Sequence, residues 1–462
     1  MNFIARIILP LFLTSITLMC AKSRTDENAQ LLQASSYRAP SEKMTSILNA
    51  IKNEAEEEHA TLPYEEAITF ASQVEDPLIR GEAIFELIAR WIEEADGEIM
   101  MQLFLWYTNH NGHEKIIQAI KNRNSGNKKK LIVYLVINSS VRKSVEPVLK
   151  DIANKIKLNS EKIEFRAIDF TSKLNVMHSK VVIKDGKEAF VTGISLDKNF
   201  NKDSGNWYDY ASVFKGTIAN QLRKEFLDTW LEALNGVESV NQATMEQKVA
   251  FNNALPENLQ IKDFTLTENI RQSGSDIPVF ISTRRGSRLP NNNNNNPQNI
   301  GFIQAMALAK KNINILTPNL NDDAAKNSII DALMRGVEVR IHLTKGFNEL
   351  AEILPGQGGG NQDNILELYA RIEASASPEK ISNLKVRWMR DEEGKIVVDD
   401  NKKRRNCSHA KYMSIDGEIM IVGSANMDTQ SWNQSREVNL IVDDVDATSR
   451  YDQILFEPIF NR

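Results

Sequence analysis

Cysteine is scarce in this chain of 462 residues, which contains only Cys20 and Cys407. Two cysteines cannot form a disulfide framework, and they do not supply the ligands of a cysteine-based zinc site. We expect Cys407 to be a small buried residue, because unpaired cysteine is common in protein cores. The scarcity therefore excludes disulfide-bonded scaffolds and zinc ribbons.

An excess of positive charge is also missing. The chain has 56 lysines and arginines against 61 aspartates and glutamates, which gives a formal net charge of -5. Proteins that coat nucleic acid usually present a basic face, so the composition does not favour a nucleic-acid partner. No protein partner can be inferred from the sequence. A hydrophobic content of 42% and a charged content of 25% are typical of a globular protein.

Long hydrophobic runs are absent except near the N-terminus, where Arg6 precedes the apolar run Ile7 to Met19. This run is too short for a comfortable membrane span, and small residues follow it. The pattern predicts a secretory signal peptide over residues 1–23, with an uncleaved membrane anchor as the alternative. We therefore expect an exported protein that is periplasmic, secreted or membrane-anchored. The polar residues 24–43 are predicted to form a flexible linker.

Beyond residue 43, helical and strand-like patterns alternate. The first half contains the strand-length runs "EIMMQLFLWY" and "KKKLIVYLVIN", separated by the helical pattern "KIIQAIKNR". The second half repeats this plan in "SIIDALMRGVEVRIHLTKG". The alternation predicts an α/β fold with a largely parallel sheet, and the repetition predicts an internal duplication. We place the two lobes at residues 44–275 and 276–462.

One short arrangement recurs at the same place in both halves, as "HSKVVIKDG" and "HAKYMSIDG". Each copy contains a histidine, a lysine two residues later and an Asp-Gly pair: His178, Lys180 and Asp185 in the first, His409, Lys411 and Asp416 in the second. Residues two apart in a strand point to the same face, so each histidine shares a face with its lysine. Asp-Gly between apolar runs is typical of a tight hairpin, which makes both aspartates mainly supporting residues.

Polar residues downstream of each motif are further candidates for substrate binding or support. The return strand of the second half ends in "GSAN", with Ser424 and Asn426, and the first half has "TGIS", so Ser195 stands where Asn426 stands. Acidic residues follow at Asp209 and Glu437. A carboxylate there can orient a histidine ring through its second nitrogen, and an ordinary exposed charge is the alternative.

Two histidines, two lysines and neighbouring donors suit phosphodiester chemistry. Lysines neutralise phosphate oxygens and the charge that develops on them. One histidine can attack phosphorus, while the other protonates the leaving oxygen and then activates the incoming water or alcohol. This chemistry requires no metal or other cofactor. If the halves face each other across a pseudo-two-fold axis, both contribute to one site.

At these residues the chain closely resembles the phospholipase D superfamily, whose signature H-x-K-x4-D is matched by "HSKVVIKD" and "HAKYMSID". Its layout is similar to that of bacterial cardiolipin synthases and compact phospholipases D. The resemblance implies a bacterial origin and a duplicated, two-lobed α/β/α sandwich with the active site between the lobes. It also implies a phosphohistidine intermediate, with His178 as the nucleophile and His409 as the acid.

The leading hypothesis is a phospholipase D that hydrolyses glycerophospholipids at a membrane surface to phosphatidate and a free head group. The alternative is a phosphatidyltransferase of the cardiolipin synthase type, which uses the same intermediate and an alcohol acceptor. A nuclease and an inactive scaffold are further alternatives. The acidic balance argues against the nuclease, and the two intact His-Lys pairs argue against the scaffold.

Overall fold

The structure is a computed structural model that describes residues 38–139, 145–171, 176–239, 277–287, 293–348, 356–375, 378–399 and 404–462. The predicted signal peptide or anchor lies outside these residues, as do most of the predicted linker and the predicted boundary between the lobes. Among the helices that are described, none combines the length and the hydropathy needed to cross a bilayer.

Helices and strands alternate along most of the described chain. In chain order the helices are α1 (Glu42–Glu54), α2 (Tyr64–Ala67), α3 (Gly81–Glu94), α4 (Asn111–Ser125), α5 (Val145–Lys155), α6 (Thr217–Ser239), α7 (Pro297–Leu308), α8 (Asp323–Met334), α9 (Asn361–Ser375), α10 (Pro378–Ser382), α11 (Thr429–Asn433), α12 (Val445–Tyr451) and α13 (Glu457–Phe460). The strands are β1 (Ile68–Ala71), β2 (Gln73–Val74), β3 (Leu78–Ile79), β4 (Glu98–Leu103), β5 (Leu131–Asn138), β6 (Ile163–Phe170), β7 (Val181–Lys184), β8 (Glu188–Thr192), β9 (Tyr210–Lys215), β10 (Ile277–Arg284), β11 (Asn312–Leu316), β12 (Glu338–Leu343), β13 (Leu384–Trp388), β14 (Tyr412–Ile415), β15 (Ile419–Gly423) and β16 (Glu437–Asp443).

The strands form two eight-stranded sheets, one in each lobe. The first has the order β2-β9-β8-β7-β4-β5-β6, with β3 also pairing with β9, and the second has the order β1-β10-β16-β15-β14-β11-β12-β13. Six strands follow the same path in both sheets, because β9-β8-β7-β4-β5-β6 corresponds to β16-β15-β14-β11-β12-β13. The predicted duplicated, two-lobed α/β fold is confirmed.

The sheets are mixed, whereas the sequence pattern suggested largely parallel ones. Strands β4, β5 and β6 are parallel, but β7 pairs antiparallel with β4, and β8 and β9 continue antiparallel. The second sheet has the same arrangement around β11 and β14. The Asp-Gly turns explain the difference, because each lies in a three-residue connection, at residues 185–187 and 416–418, and so short a connection can join only antiparallel strands.

The N-terminal part of the described chain packs on the second lobe. Ser41 caps helix α1 by accepting a hydrogen bond from the backbone N–H of Met44, and its own N–H donates to Asp443 over 2.6 Å. The apolar face of α1 is buried, and β1 pairs with β10 of the second sheet. Residues 42–54 and 68–71 therefore lie with the second sheet, while the division at residues 275 and 276 stays a prediction.

A buried arginine holds the lobes together beside the motifs. Arg436 precedes β16 of the second lobe, and its guanidinium contacts three carboxylates on helix α6 of the first lobe: Glu225 at 2.7 Å, Asp228 at 2.8 Å and Glu232 at 2.5 Å. The Arg436 carbonyl accepts hydrogen bonds from the backbone N–H groups of His178 and Ser179. The first motif is thus joined to the second lobe through the backbone.

Candidate active site

Both motif histidines line one cavity of about 470 Å³ between the lobes. His178 lies just before β7, and His409 lies just before β14. The matching strand positions explain why the duplicated halves bring the two rings to the same place. Other predicted site residues that line this cavity are Ser195 and Asn426.

The two motif aspartates hold the hairpin turns in place. The Asp185 carboxylate accepts hydrogen bonds from the backbone N–H groups of Asp96, Gly97 and Glu98 over 2.8 to 3.0 Å. Asp185 itself has a φ of 53° and Gly186 a φ of 63°, the left-handed values that a tight hairpin turn needs. The carboxylate therefore anchors the β7–β8 turn to the start of β4.

Asp416 has the same function in the second lobe. Its carboxylate accepts hydrogen bonds from the backbone N–H groups of Lys310, Lys311 and Asn312, ahead of β11. It also pairs with Lys43 of α1. The neighbouring cation and N–H groups hold the pKa of Asp416 below its ordinary value, although burial alone would raise it. Both aspartates contact backbone and stand outside the lining of the cavity.

Each histidine is oriented by a carboxylate from the opposite lobe. Nδ1 of His178 lies 3.0 Å from Oε1 of Glu437, and Nδ1 of His409 lies 2.7 Å from Oδ2 of Asp209. Both carboxylates are fully buried. A backbone hydrogen bond between the lobes supports the second of these pairings, since the N–H of His409 donates to the carbonyl of Tyr208. The sequence indicated orienting carboxylates but not that each would cross to the other lobe.

The two carboxylates differ in their hydrogen-bond donors. The Ser424 hydroxyl donates to Oε2 of Glu437 over 2.5 Å. The corresponding residue in the first half is Gly193, and a Cβ added there would lie 2.4 Å from Oδ2 of Asp209. No hydroxyl fits at this position, so Asp209 lacks the donor that Glu437 has.

The pKa values of the two carboxylates shift in opposite directions, in agreement with this difference in donors. Burial raises the pKa of Asp209 to about 7, against the effect of Lys411 and of the N–H of Tyr210. Burial acts on Glu437 in the same sense, but the neighbouring His178, Lys180 and the Ser424 hydroxyl together hold its pKa below the ordinary value. Glu437 is therefore ionised at neutral pH, whereas Asp209 retains a proton in part of the molecules.

Both lysines are buried against their histidines. The ammonium group of Lys180 donates to the carbonyl of His178 and lies 5.0 Å from the centre of the Phe104 ring. Nζ of Lys411 lies 2.8 Å from Nδ1 and 3.0 Å from Nε2 of His409. Burial lowers the pKa of Lys180 to about 7 and that of Lys411 to about 8. Burial and the nearby lysines also lower the pKa of both histidines.

Asn426 and Ser195 occupy equivalent places at the cavity wall, as the alignment of the halves predicts. The Asn426 amide donates to Oδ2 of Asp428 over 2.7 Å, and its carbonyl oxygen is buried without a hydrogen-bond partner among the described residues. Ser424, by contrast, stands outside the cavity lining, and its hydroxyl donates a hydrogen bond to Glu437.

Sequence reasoning missed an aromatic wall beside His409. The rings of Phe200, Trp207 and Phe347 lie 5.4 to 5.7 Å from the His409 ring, centre to centre. Arg404 packs against two of these rings and also lines the cavity. Trp207 stands two residues before Asp209, which was the one available signal. Phe347 and Arg404 come from loops with no repeated pattern.

Comparisons with known proteins agree with this geometry. A family model described as "Cardiolipin synthase, PLD-like domain" matches residues 302–457. A cardiolipin synthase of Clostridium perfringens (strain SM101) is 24% identical over 415 residues, which cover 86% of this chain and 74% of that protein. Cardiolipin synthase A of Pseudomonas syringae pv. syringae (strain B728a) is 22% identical over 395 residues, covering 82% and 67%.

A solved structure shares the fold. The crystal structure of phosphatidylserine synthase from Haemophilus influenzae Rd KW20 matches with a TM-score of 0.57 and 16% sequence identity, covering 87% of this chain and 88% of that one. At this identity the likeness concerns the fold alone. The family match and the curated relatives add the sequence evidence, and the two motif copies meet in one cavity. The chain thus has a phospholipase D-like fold, with a PLD-like domain over residues 302–457, and it is similar to cardiolipin synthases over most of its length.

Proposed function

We propose that this enzyme is a phosphatidyltransferase of the cardiolipin synthase type, which moves a phosphatidyl group from a phospholipid to an alcohol. The observation that carries the proposal is the crossed pairing of two histidines with two carboxylates over one shared cavity. The names of the curated relatives support transfer better than the hydrolysis that we expected first from the sequence. Hydrolysis remains the second candidate, because water and an alcohol use the same intermediate.

In the first step, Nε2 of His178 attacks the phosphorus of the donor lipid, and the bond between phosphorus and the head-group oxygen breaks. The ionised Glu437 accepts a hydrogen bond from Nδ1–H of His178, which leaves the lone pair of the ring on Nε2. Lys180 and Lys411 offset the charge that develops on the phosphate oxygens.

His409 supplies the proton for the departing oxygen. When Asp209 is protonated, its hydroxyl donates to Nδ1 of His409, so the ring carries its own proton on Nε2. Nε2 gives this proton to the head-group oxygen while Nδ1 takes the proton of Asp209. The missing donor at Gly193 supports this role, because it favours a protonated Asp209.

In the second step the roles reverse. The acceptor hydroxyl transfers its proton to Nε2 of His409, and its oxygen attacks the phosphorus. The bond between phosphorus and Nε2 of His178 breaks, which regenerates the free histidine. An alcohol acceptor yields a new phosphodiester, and water yields phosphatidate.

Residues 1–23 support the further proposal that the protein is exported and works at a membrane surface. A signal peptide would be removed, whereas an anchor would be kept. Mass spectrometry of the protein purified from its membrane and periplasmic fractions separates the two, because removal shortens the chain by the predicted segment.

The test of function uses the purified protein and vesicles that contain phosphatidylglycerol, with and without added ethanol. Mass spectrometry of the lipids is expected to show cardiolipin, and phosphatidylethanol when ethanol is present, with neither product from His178→Ala. Phosphatidate as the sole product under both conditions would establish a hydrolase instead. Absence of any lipid turnover would refute the proposal.

A further inference from the structure

Arg404 shares an aromatic wall with the histidine that handles the leaving and entering groups. Its guanidinium carbon lies 4.9 Å from the centre of the Trp207 ring and 5.1 Å from that of Phe347. The same rings lie 5.4 and 5.7 Å from the centre of the His409 ring. Arg404 is 27% exposed and lines the cavity. Its charge therefore faces the part of the cavity next to His409.

The guanidinium is held in a fixed orientation. Asp399, whose side chain is fully buried, accepts hydrogen bonds from Nε over 2.9 Å and contacts Nη2 at 2.7 Å. The indole N–H of Trp207 donates to the carbonyl of Arg404 over 2.9 Å. Within the described part of the chain, Nη1 has no hydrogen-bond acceptor. A planar guanidinium held in this way presents its remaining N–H groups to an anion without a large loss of entropy.

The His178 side of the cavity is built differently. His178 packs edge-on against Phe104 at 5.0 Å, and Lys180 covers the same ring. Arg404 is the one arginine among the described residues that line the cavity. The positive charge of Arg404 therefore makes the two halves of the cavity unequal, because it lies on the His409 side.

Two carboxylates also line the cavity, but both are occupied by their own loops. Asp197 accepts a hydrogen bond from the backbone N–H of Asn199, and Asp428 accepts hydrogen bonds from the N–H of Ser431 and from the amide of Asn426. Among the charged side chains of the described cavity lining, the guanidinium of Arg404 is the one that remains available for a charged part of the acceptor.

We propose that Arg404 forms an acceptor subsite, which binds an anionic phosphate or carboxylate carried by the alcohol that receives the phosphatidyl group. The inference rests on the proposed function, in which the acceptor hydroxyl gives its proton to His409. An acceptor bound by Arg404 brings its hydroxyl along the wall formed by Trp207 and Phe347 toward that ring. A neutral alcohol reaches the same ring without this contact.

The experiment compares acceptors in competition, with one donor lipid and the full-length protein. Glycerol is the neutral acceptor, glycerol phosphate the soluble anionic one, and phosphatidylglycerol in vesicles the lipid one. The variant Arg404→Gln is expected to lower the ratio of anionic to neutral product by about 10- to 100-fold, the usual loss for a hydrogen bond to a charged group. Arg405→Gln, at the exposed neighbouring position, is the matched control and leaves the ratio unchanged.

The variant Arg404→Lys controls for misfolding, because it keeps a positive charge beside the buried Asp399. It removes the planar guanidinium, which is the group proposed to bind the anion. An intermediate ratio is expected. If Arg404→Gln lowers the product ratio for both glycerol phosphate and phosphatidylglycerol, the subsite binds the anionic group whether it is soluble or part of a lipid. If the ratio falls for phosphatidylglycerol alone, the subsite binds a lipid head group. An equal loss with glycerol, or an unchanged ratio, would overturn the subsite while the proposed function stands. If the unmodified protein forms no product with any alcohol, the proposed function itself fails, and the subsite with it.

Discussion

His178 of the first lobe is oriented by Glu437 of the second, with 3.0 Å between Nδ1 and Oε1. The reciprocal contact joins His409 to Asp209 over 2.7 Å. Each motif histidine takes its carboxylate partner from the other lobe, so the proposed catalysis depends on the docked lobes. In the proposed mechanism the two histidines hold different tautomers, because Ser424 donates to one carboxylate and Gly193 cannot donate to the other.

The first prediction concerns the covalent intermediate. With a lipid analogue that has a p-nitrophenyl leaving group, His178→Ala is expected to form no phosphatidyl-enzyme, because the nucleophile is missing. His409→Ala is expected to form the intermediate and accumulate it, since nitrophenolate leaves without a proton but the acceptor is no longer activated. Intact-protein mass spectrometry after rapid quenching detects the adduct. Loss of the adduct in His409→Ala alone would reverse the two roles.

The second prediction tests the unequal carboxylates. Ser424→Ala removes the donor to Glu437 and is expected to lower kcat by about 10-fold or more, the usual loss for a hydrogen bond to a charged group. Because nucleophilic attack is weakened, the loss is expected with natural lipids and with p-nitrophenyl analogues alike. Steady-state kinetics with both substrates measures it.

Gly193→Ala is the counterpart in the first lobe. The added Cβ would crowd the Asp209 carboxylate at 2.4 and 2.8 Å, so the acid is displaced while the nucleophile is left intact. Activity on natural lipids is expected to fall well below activity on p-nitrophenyl analogues, which need no acid. Equal losses on both substrates in this variant would count against the assignment of His409 and Asp209 as the acid pair.

The third prediction concerns pH. The pKa of Lys180 is lowered to about 7 and that of Lys411 to about 8, so both lysines are charged in the empty site below these values and lose their protons above them. A dialkyl phosphate keeps its single negative charge throughout this range. Its affinity is expected to be nearly constant below pH 7 and to fall by about 10-fold or more per pH unit above pH 8.

Titration calorimetry with diethyl phosphate between pH 6 and pH 9 measures this dependence, and the protein is expected to take up protons on binding at the alkaline end. Lys180→Met is expected to weaken binding and to keep the loss of affinity near pH 8 that comes from deprotonation of Lys411. An affinity that does not change between pH 7 and pH 9 would contradict the role of the lysines in binding phosphate.

The fourth prediction concerns the contact between the lobes. Arg436→Met leaves the fully buried Glu225 without its partner, which is expected to lower the free energy of unfolding by about 3 to 5 kcal/mol. Lys395→Met is the control, because its ion pair with Glu393 is largely exposed. The Lys395→Met substitution is expected to lower the free energy of unfolding by less than about 1 kcal/mol. Urea denaturation compares the variants, and equal stabilities would show that the buried cluster does not hold the lobes together.

The sequence by itself determined the features that depend on neighbouring residues. The alternation of helix and strand patterns indicated an α/β fold, and the spacing of His178 and His409 relative to their lysines marked the duplication. The Asp-Gly pairs at Asp185 and Asp416 indicated hairpin turns, which the left-handed φ of both aspartates bears out. Each of these features follows from local backbone geometry, which a short stretch of sequence specifies.

The tertiary structure alone decided which groups meet across the lobes. Glu437 is 259 residues from His178, and Asp209 is 200 residues from His409. Arg404 reaches the aromatic wall from a loop that carries no repeated pattern. Such contacts arise when two packed lobes dock, and the burial and complementary charge that fix the docking are properties of the assembled surfaces. No periodicity or spacing within one segment encodes them.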